Sequence, residues 1–86
     1  MATCGIIGAG LIGRAWAMVF ARAGWQVAIT DVNPASRDAA PALLADALAD
    51  QVRHGLVDDA AATLARIRVA ATLEEAVHGA SFVQEC

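Results

Sequence analysis

The sequence predicts an α/β fold: an incomplete parallel sheet wound with helices on both faces. Three observations predict it. Short apolar runs alternate with helix-favouring stretches along the chain, the pattern of a parallel sheet covered on both sides. Glycines, prolines and small polar residues stand where those helices should start and stop, as helix punctuation requires. A glycine-rich turn joins the first apolar run to the first helical stretch.

In chain order, Ala2 to Ile7 is a short apolar run ended by glycine, as a strand buried on both faces should be. Leu11 to Ala23 favour helix, with Gly24 as the terminator just past its end. Trp25 to Thr30 is a second apolar, partly β-branched run that closes on Asp31. Asn33 and Pro34 read as an N-cap and a first helical position. The second helix should run to about His54, with Leu44, Leu48 and Val52 on a buried stripe and Asp46, Asp50 and Arg53 facing water. Pro41 either kinks this helix or marks where its regular part begins, residues 34–40 then forming a turn. Gly55 ends it. Asp58 or Asp59 caps a short helix through Ala65, and Ile67 to Ala71 resembles a third strand. Thr72 caps a helix from Leu73 to His78 that Gly79 closes, and Phe82 to Cys86 begins a fourth strand.

The predicted order is βαβαβαβ with one extra short helix before the third strand. Right-handed crossovers then set the first three strands in the order 3-2-1, with the fourth beside the first. A complete doubly wound sheet has about two more strands. Residues 1–86 are therefore expected to be the N-terminal part of a larger dinucleotide-binding domain, followed elsewhere by its remainder.

Composition excludes several function classes. The chain has 86 residues, 58% of them hydrophobic, and a net charge of −3, with a mean hydropathy of +0.53. Arg14 and Arg22 interrupt the apolar region, leaving pieces shorter than the about 20 residues a lipid-spanning helix needs. No basic segment precedes the run at Ile6 to Ile12, so a secretory signal fits poorly. The expectation is a cytoplasmic protein with no membrane partner. Its six cations are all arginine and are scattered, which argues against nucleic acid. Cys4 and Cys86 are too few for a disulfide framework and should sit at different heights on neighbouring strands, as two reduced, buried thiols.

Gly8-Ala9-Gly10-Leu11-Ile12-Gly13 matches G-x-G-x-x-G. The pattern is weak alone, but here it follows a predicted strand, opens a helix and lies within a βαβ unit, the Rossmann-type context for a dinucleotide. Gly8 permits the turn, Gly10 leaves room for a pyrophosphate and Gly13 brings helix and strand together. The backbone amides of Leu11 and Ile12 would be free at the helix start to meet the anion. The competing reading is that the glycines serve only a tight turn. Asp31 closes the second strand, where a carboxylate accepts the adenosine ribose hydroxyls and repels a 2′-phosphate, so NAD rather than NADP is the expected cofactor. Its competing reading is an ordinary turn aspartate.

Other residues are assigned structural places. Arg14 and Arg22 share a stripe of the first helix, taken as its wet face, with Arg14 near enough to the helix start to approach a phosphate. Arg37, the cation nearest Asp31 that could undermine NAD selectivity, is placed on the solvated face of the second helix. Trp16 and Phe20, four apart, are assigned to the core. His54 and His78 precede helix-ending glycines, where imidazoles interact with terminal carbonyls. No metal-ligand spacing and no nucleophile–base set is present, so no catalytic residue is assigned.

The segment from Ile6 to Val27, IIGAGLIGRAWAMVFARAGWQV, resembles the opening of the 3-hydroxyacyl-CoA dehydrogenase family. GLIGRAWAM, Gly10 to Met18, looks closest to its L-gulonate 3-dehydrogenase and lambda-crystallin branch. GASFVQEC, Gly79 to Cys86, resembles that branch's fourth strand. The resemblance implies NAD-dependent oxidation of a 3-hydroxy group on an acyl-CoA or a sugar acid. It also implies a histidine–glutamate pair in the later half of the nucleotide domain, a helical C-terminal domain and a homodimer. Only Gly8, Gly10, Leu11, Ile12, Gly13 and Asp31 carry over, as cofactor-binding residues. A flavin-binding domain, which often has glutamate in place of Asp31, and a non-catalytic crystallin-like role are the alternatives.

Overall fold

A computed structural model describes residues 2–86. Its elements are β1 (Thr3–Ile7), α1 (Leu11–Arg22), β2 (Gln26–Thr30), α2 (Pro34–Arg53), α3 (Ala60–Leu64), β3 (Ile67–Val69), α4 (Leu73–Val77) and β4 (Phe82–Glu85). The four strands form one parallel sheet in the order β3-β2-β1-β4, as the crossover rule anticipates.

Local chemistry sets the helix ends. The α1 terminus is a Schellman motif: Gly24 takes φ +98°, its N–H donates to Ala21 O, and the Trp25 N–H donates to Phe20 O. The accompanying apolar contact is the edge-on packing of Phe20 against Trp25, with ring centroids 5.0 Å apart. Asn33 Oδ1 accepts from the Ala35 N–H, Asp59 Oδ1 from Ala62 and Thr72 Oγ1 from Glu75. Each satisfies an amide that the helix leaves without a carbonyl.

Alternation along the strands divides the interior into two unequal layers. Cys4, Ile6, Val27 and Ile29 face α1 and α2 and pack with Ala17, Ala21, Ala40 and Leu44. The opposite face is thin: Ala28, Ala70 and Ala76 with Ile7 beside them, covered by the five-residue α4. Gly5 lets that helix lie close, because a Cβ there would sit 2.7 Å from Ala76 O.

Several expectations are corrected. Helix α2 is continuous from Pro34 through Pro41, so residues 34–40 are helix rather than a turn. Burial of Ala40, Leu44 and Leu48 outweighs the single hydrogen bond that proline removes. Val52 is 38% exposed: each four-residue step rotates about 40° around the helix, so the stripe has turned off the core by its third member. Trp16 is 40% exposed. The stripe of α1 that meets the sheet is Gly13, Ala17 and Ala21, since close approach of helix to strand requires small side chains. Strand β3 ends at Val69, after which Ala70 still donates to Ile29 O before the chain leaves to cap α4. Both cysteines are free, Cys4 buried as expected and Cys86 exposed. Cys4 pairs with Phe82 across the sheet, which leaves Cys86 about four residues, ~13 Å, further along and past the strand end.

Candidate functional site

The carboxyl ends of β1, β2 and β3 converge on one rim of the sheet, and the order reverses at β1, which has β2 on one side and β4 on the other. Ligands of open α/β sheets enter at such a reversal. The glycine loop lies there. Gly8 takes φ +118°, turning the chain sharply out of β1, and its N–H donates to Thr30 O at 2.8 Å. The buried Ala9 donates its N–H to Asp31 Oδ2 at 2.8 Å. Gly10 is the extended N-cap of α1, and among the described residues no side chain caps that helix. The first helical bond is Arg14 N–H to Gly10 O, 3.0 Å, so the amides of Leu11, Ile12 and Gly13 precede it and have no carbonyl within the helix. Three free donors and the positive end of a twelve-residue helix make a receptor for an anion.

The two later glycines act differently. A Cβ at Gly13 would overlap the carbonyl oxygen of Gly8 and lie 3.6 Å from Ile6 Cγ2; this glycine closes the protein on itself. A Cβ at Gly10 would meet nothing within 4 Å. The open space around it suits a diphosphate whose oxygens must come against the backbone. These residues fit the cofactor expected from the sequence.

Asp31 sits across the loop at the head of β2 and is half-buried. Its Oδ2 accepts from Ala9 and its Oδ1 from Asn33, both at 2.8 Å. A carboxylate offers about four lone-pair sites, and two remain for a pair of vicinal hydroxyls. The Ala9 hydrogen bond first, then that from Asn33, hold the carboxyl below its ordinary range; partial burial opposes them and Arg37 adds to them. The group is therefore anionic at neutral pH. Beside it opens a cavity of about 310 Å³, with Asp31, Arg37, Ile7, Val32, Thr72 and Leu73 among its lining. A second hollow of similar size lies at the opposite end of the sheet between Arg22, Asp59 and Arg66, where Arg66 is already engaged by Ala21 O.

Gly8, Gly10, Leu11, Ile12, Gly13 and Asp31 are thus brought together on one rim. Two arginines make contacts that their sequence positions alone do not specify. Arg14 is half-buried rather than fully solvated: its Nη1 donates to Ala9 O at 2.9 Å and braces the loop. Arg37 is only half exposed to solvent, and its Nη1 reaches Ala71 O at 3.1 Å, across the cavity mouth. A signal for Arg37 was present, because it stands on the first turn of α2 after Asn33 and Pro34, and a right-handed crossover carries that turn over the end of β2. His54 behaves as expected, with Nδ1 at 2.9 Å from Asp50 O. Among the described residues no group of three metal-ligating side chains forms, and no helix is long and apolar enough to cross a membrane.

Comparison with known proteins agrees with this geometry. The lambda-crystallin homolog of Bos taurus is 39% identical over 84 residues, covering 94% of this chain and 26% of that protein. An L-carnitine dehydrogenase/betainyl-CoA thioesterase of Ruegeria pomeroyi is 36% identical over 85 residues, 99% of this chain and 17% of its own length. The chain thus spans about a quarter or less of these relatives. Among solved structures, the (S)-3-hydroxybutyryl-CoA dehydrogenase of Ralstonia eutropha superposes over the whole chain and 31% of its own, with TM-score 0.86 and 27% identity. A diketoreductase acting on dicarbonyl compounds gives the same TM-score, 0.86, at 29% identity, over the whole chain and 31% of its own. The signature of the family described as "3-hydroxyacyl-CoA dehydrogenase, NAD binding domain" matches residues 3–86. The chain belongs to the 3-hydroxyacyl-CoA dehydrogenase family, its residues matching that family's NAD-binding domain.

Proposed function

We propose that residues 1–86 hold the adenosine and pyrophosphate portion of NAD for an enzyme that oxidises a 3-hydroxy group on an acyl-CoA or a sugar acid. The observation that carries the reading is the uncapped start of α1 with open space over Gly10, facing an anionic Asp31 that keeps two lone-pair sites. Leu11 and Ile12 present amides to the pyrophosphate, Gly10 admits it, and Asp31 accepts the ribose hydroxyls. Bound NAD supplies the hydride acceptor; this chain fixes its position and its identity. The acid–base pair that removes the hydroxyl proton is expected outside these residues, in a cytoplasmic homodimer completed by a helical domain. The named activities of the two dehydrogenase relatives support an alcohol oxidation.

The test is cofactor affinity of the full chain by calorimetry, for NAD and for NADP. A charge-assisted hydrogen bond is worth about 1.5–3 kcal/mol, roughly ten- to a hundredfold in Kd, and that margin should favour NAD. Gly10→Val should remove NAD binding while the thermal midpoint stays within a few degrees. Equal affinities for both cofactors, or a Gly10→Val protein that still binds NAD, would defeat the reading. NAD-dependent turnover assayed on 3-hydroxyacyl-CoA and on gulonate separates the two substrate classes.

A further inference from the structure

We propose that Arg37 is a latent 2′-phosphate contact, kept from serving NADP by the carboxylate of Asp31, so that cofactor choice at this site rests on one charge. The inference depends on the NAD-binding reading above and adds a specificity residue to it. Arg37 and Asp31 line the same cavity at the head of β2. The guanidinium is placed there by Pro34 and the Asn33 cap, which start α2 directly over the end of β2. One of its five donors is engaged, by Ala71 O at 3.1 Å, leaving the remainder of the fork for an anion. The carboxylate meanwhile bonds to the backbone amides of Ala9 and Asn33, not to the arginine.

An NADP 2′-phosphate would enter on the ribose side of this cavity and meet both groups. With Asp31 ionised, repulsion by the carboxylate opposes the attraction of the guanidinium. Remove the negative charge and the same cavity offers an unopposed arginine, whose planar fork suits phosphate oxygens. The hydrogen bond to a single neutral carbonyl is weak beside a phosphate contact and exchanges for it without rearranging the helix.

The experiment measures Kd for NAD and NADP by calorimetry, using the full chain and its Asp31→Asn, Arg37→Gln and double variants. Asparagine keeps one oxygen for the Ala9 or Asn33 amide while removing the charge. Asp31→Asn should tighten NADP binding at least tenfold, and Arg37→Gln added to it should reverse that gain. Raising salt should weaken the gained affinity, as an ion contact requires. In the otherwise unmodified chain, Arg37→Gln should weaken residual NADP binding by a larger factor than it weakens NAD binding, an arm that stands even if Asp31→Asn unfolds. NADP binding that is indifferent to Arg37 in both backgrounds overturns the proposal while leaving the NAD reading intact. Failure of the unmodified chain to bind NAD overturns both.

Discussion

Exchanging Gly13 for alanine tests the difference between a glycine that serves folding and one that serves a ligand. The added methyl would overlap the Gly8 carbonyl oxygen, and both partners are backbone, so neither can swing aside. Relief requires α1 to lift off β1 and opens the layer around Ile6 and Ala17. Overpacking by one methyl costs about 1–3 kcal/mol; a backbone clash belongs at or above the upper end. Replacing glycine by alanine within a helix returns at most about 1 kcal/mol, leaving a net loss of about 2 kcal/mol. At about 4–8 °C per kcal/mol for a unit of this size, the thermal midpoint should fall by roughly 8–16 °C. Gly10→Ala is the matched control. Its methyl meets nothing and its extended backbone suits any residue, so its midpoint should move by only a few degrees. Thermal unfolding of both variants of the full chain, followed by near-UV circular dichroism, decides the matter. A Gly13→Ala protein that melts with the unmodified chain, or a Gly10→Ala protein that loses as much, would refute the reasoning.

Two further outcomes follow from the site. Arg14→Met removes the brace on Ala9 O while keeping the aliphatic stem, so NAD affinity should fall several-fold with only a small change in midpoint; unchanged affinity would show that the loop holds its shape unaided. The Asp31 carboxyl lies below its ordinary range in the folded chain because Ala9 and Asn33 donate to it. A depressed folded value means that the unfolded chain takes up the proton first. The stabilising contribution is whole above the ordinary aspartate range and disappears as pH falls from about 5 through the folded value. Midpoints recorded from pH 7 to 3 should therefore fall more steeply for the unmodified chain than for Asp31→Asn, and parallel curves would contradict this.

Much of the fold was legible because its determinants are local. Asn33, Asp59 and Thr72 each bond to an amide two or three residues on, so the cap and its helix lie in one short window of sequence. The strand order followed from right-handed crossovers together with the doubly wound pattern that the glycine fingerprint implies. What escaped depends on groups far apart in sequence. The place of Asp31 after the second strand marks it as a ribose acceptor, yet it also ties down Ala9, 22 residues away. Arg37 reaches Ala71 across 34 residues, a partner that no periodicity reveals. Trp16 stands off the core for another reason: apolar character alone does not mark the buried face, because the sheet accepts only the slim stripe of Gly13, Ala17 and Ala21. The need for glycine at position 5 is set by α4, about 70 residues further on, and nothing in its own neighbourhood signals that crossing.

The unequal layers have a consequence for motion. The face closed by Ala28, Ala70 and Ala76 buries little apolar area, and the five-residue α4 that covers it is too short to persist alone. That helix should open locally at a free energy well below that of the sheet, and its amides should exchange with solvent sooner. Thr72 and Leu73, at its start, also form a wall of the cavity beside Asp31. A nucleotide that needs this wall binds only the closed form, and at a hundred times its Kd it holds that form by about 2.7 kcal/mol. Occupancy of the site should thus register in α4 itself, as slowed deuterium uptake from Leu73 to Val77.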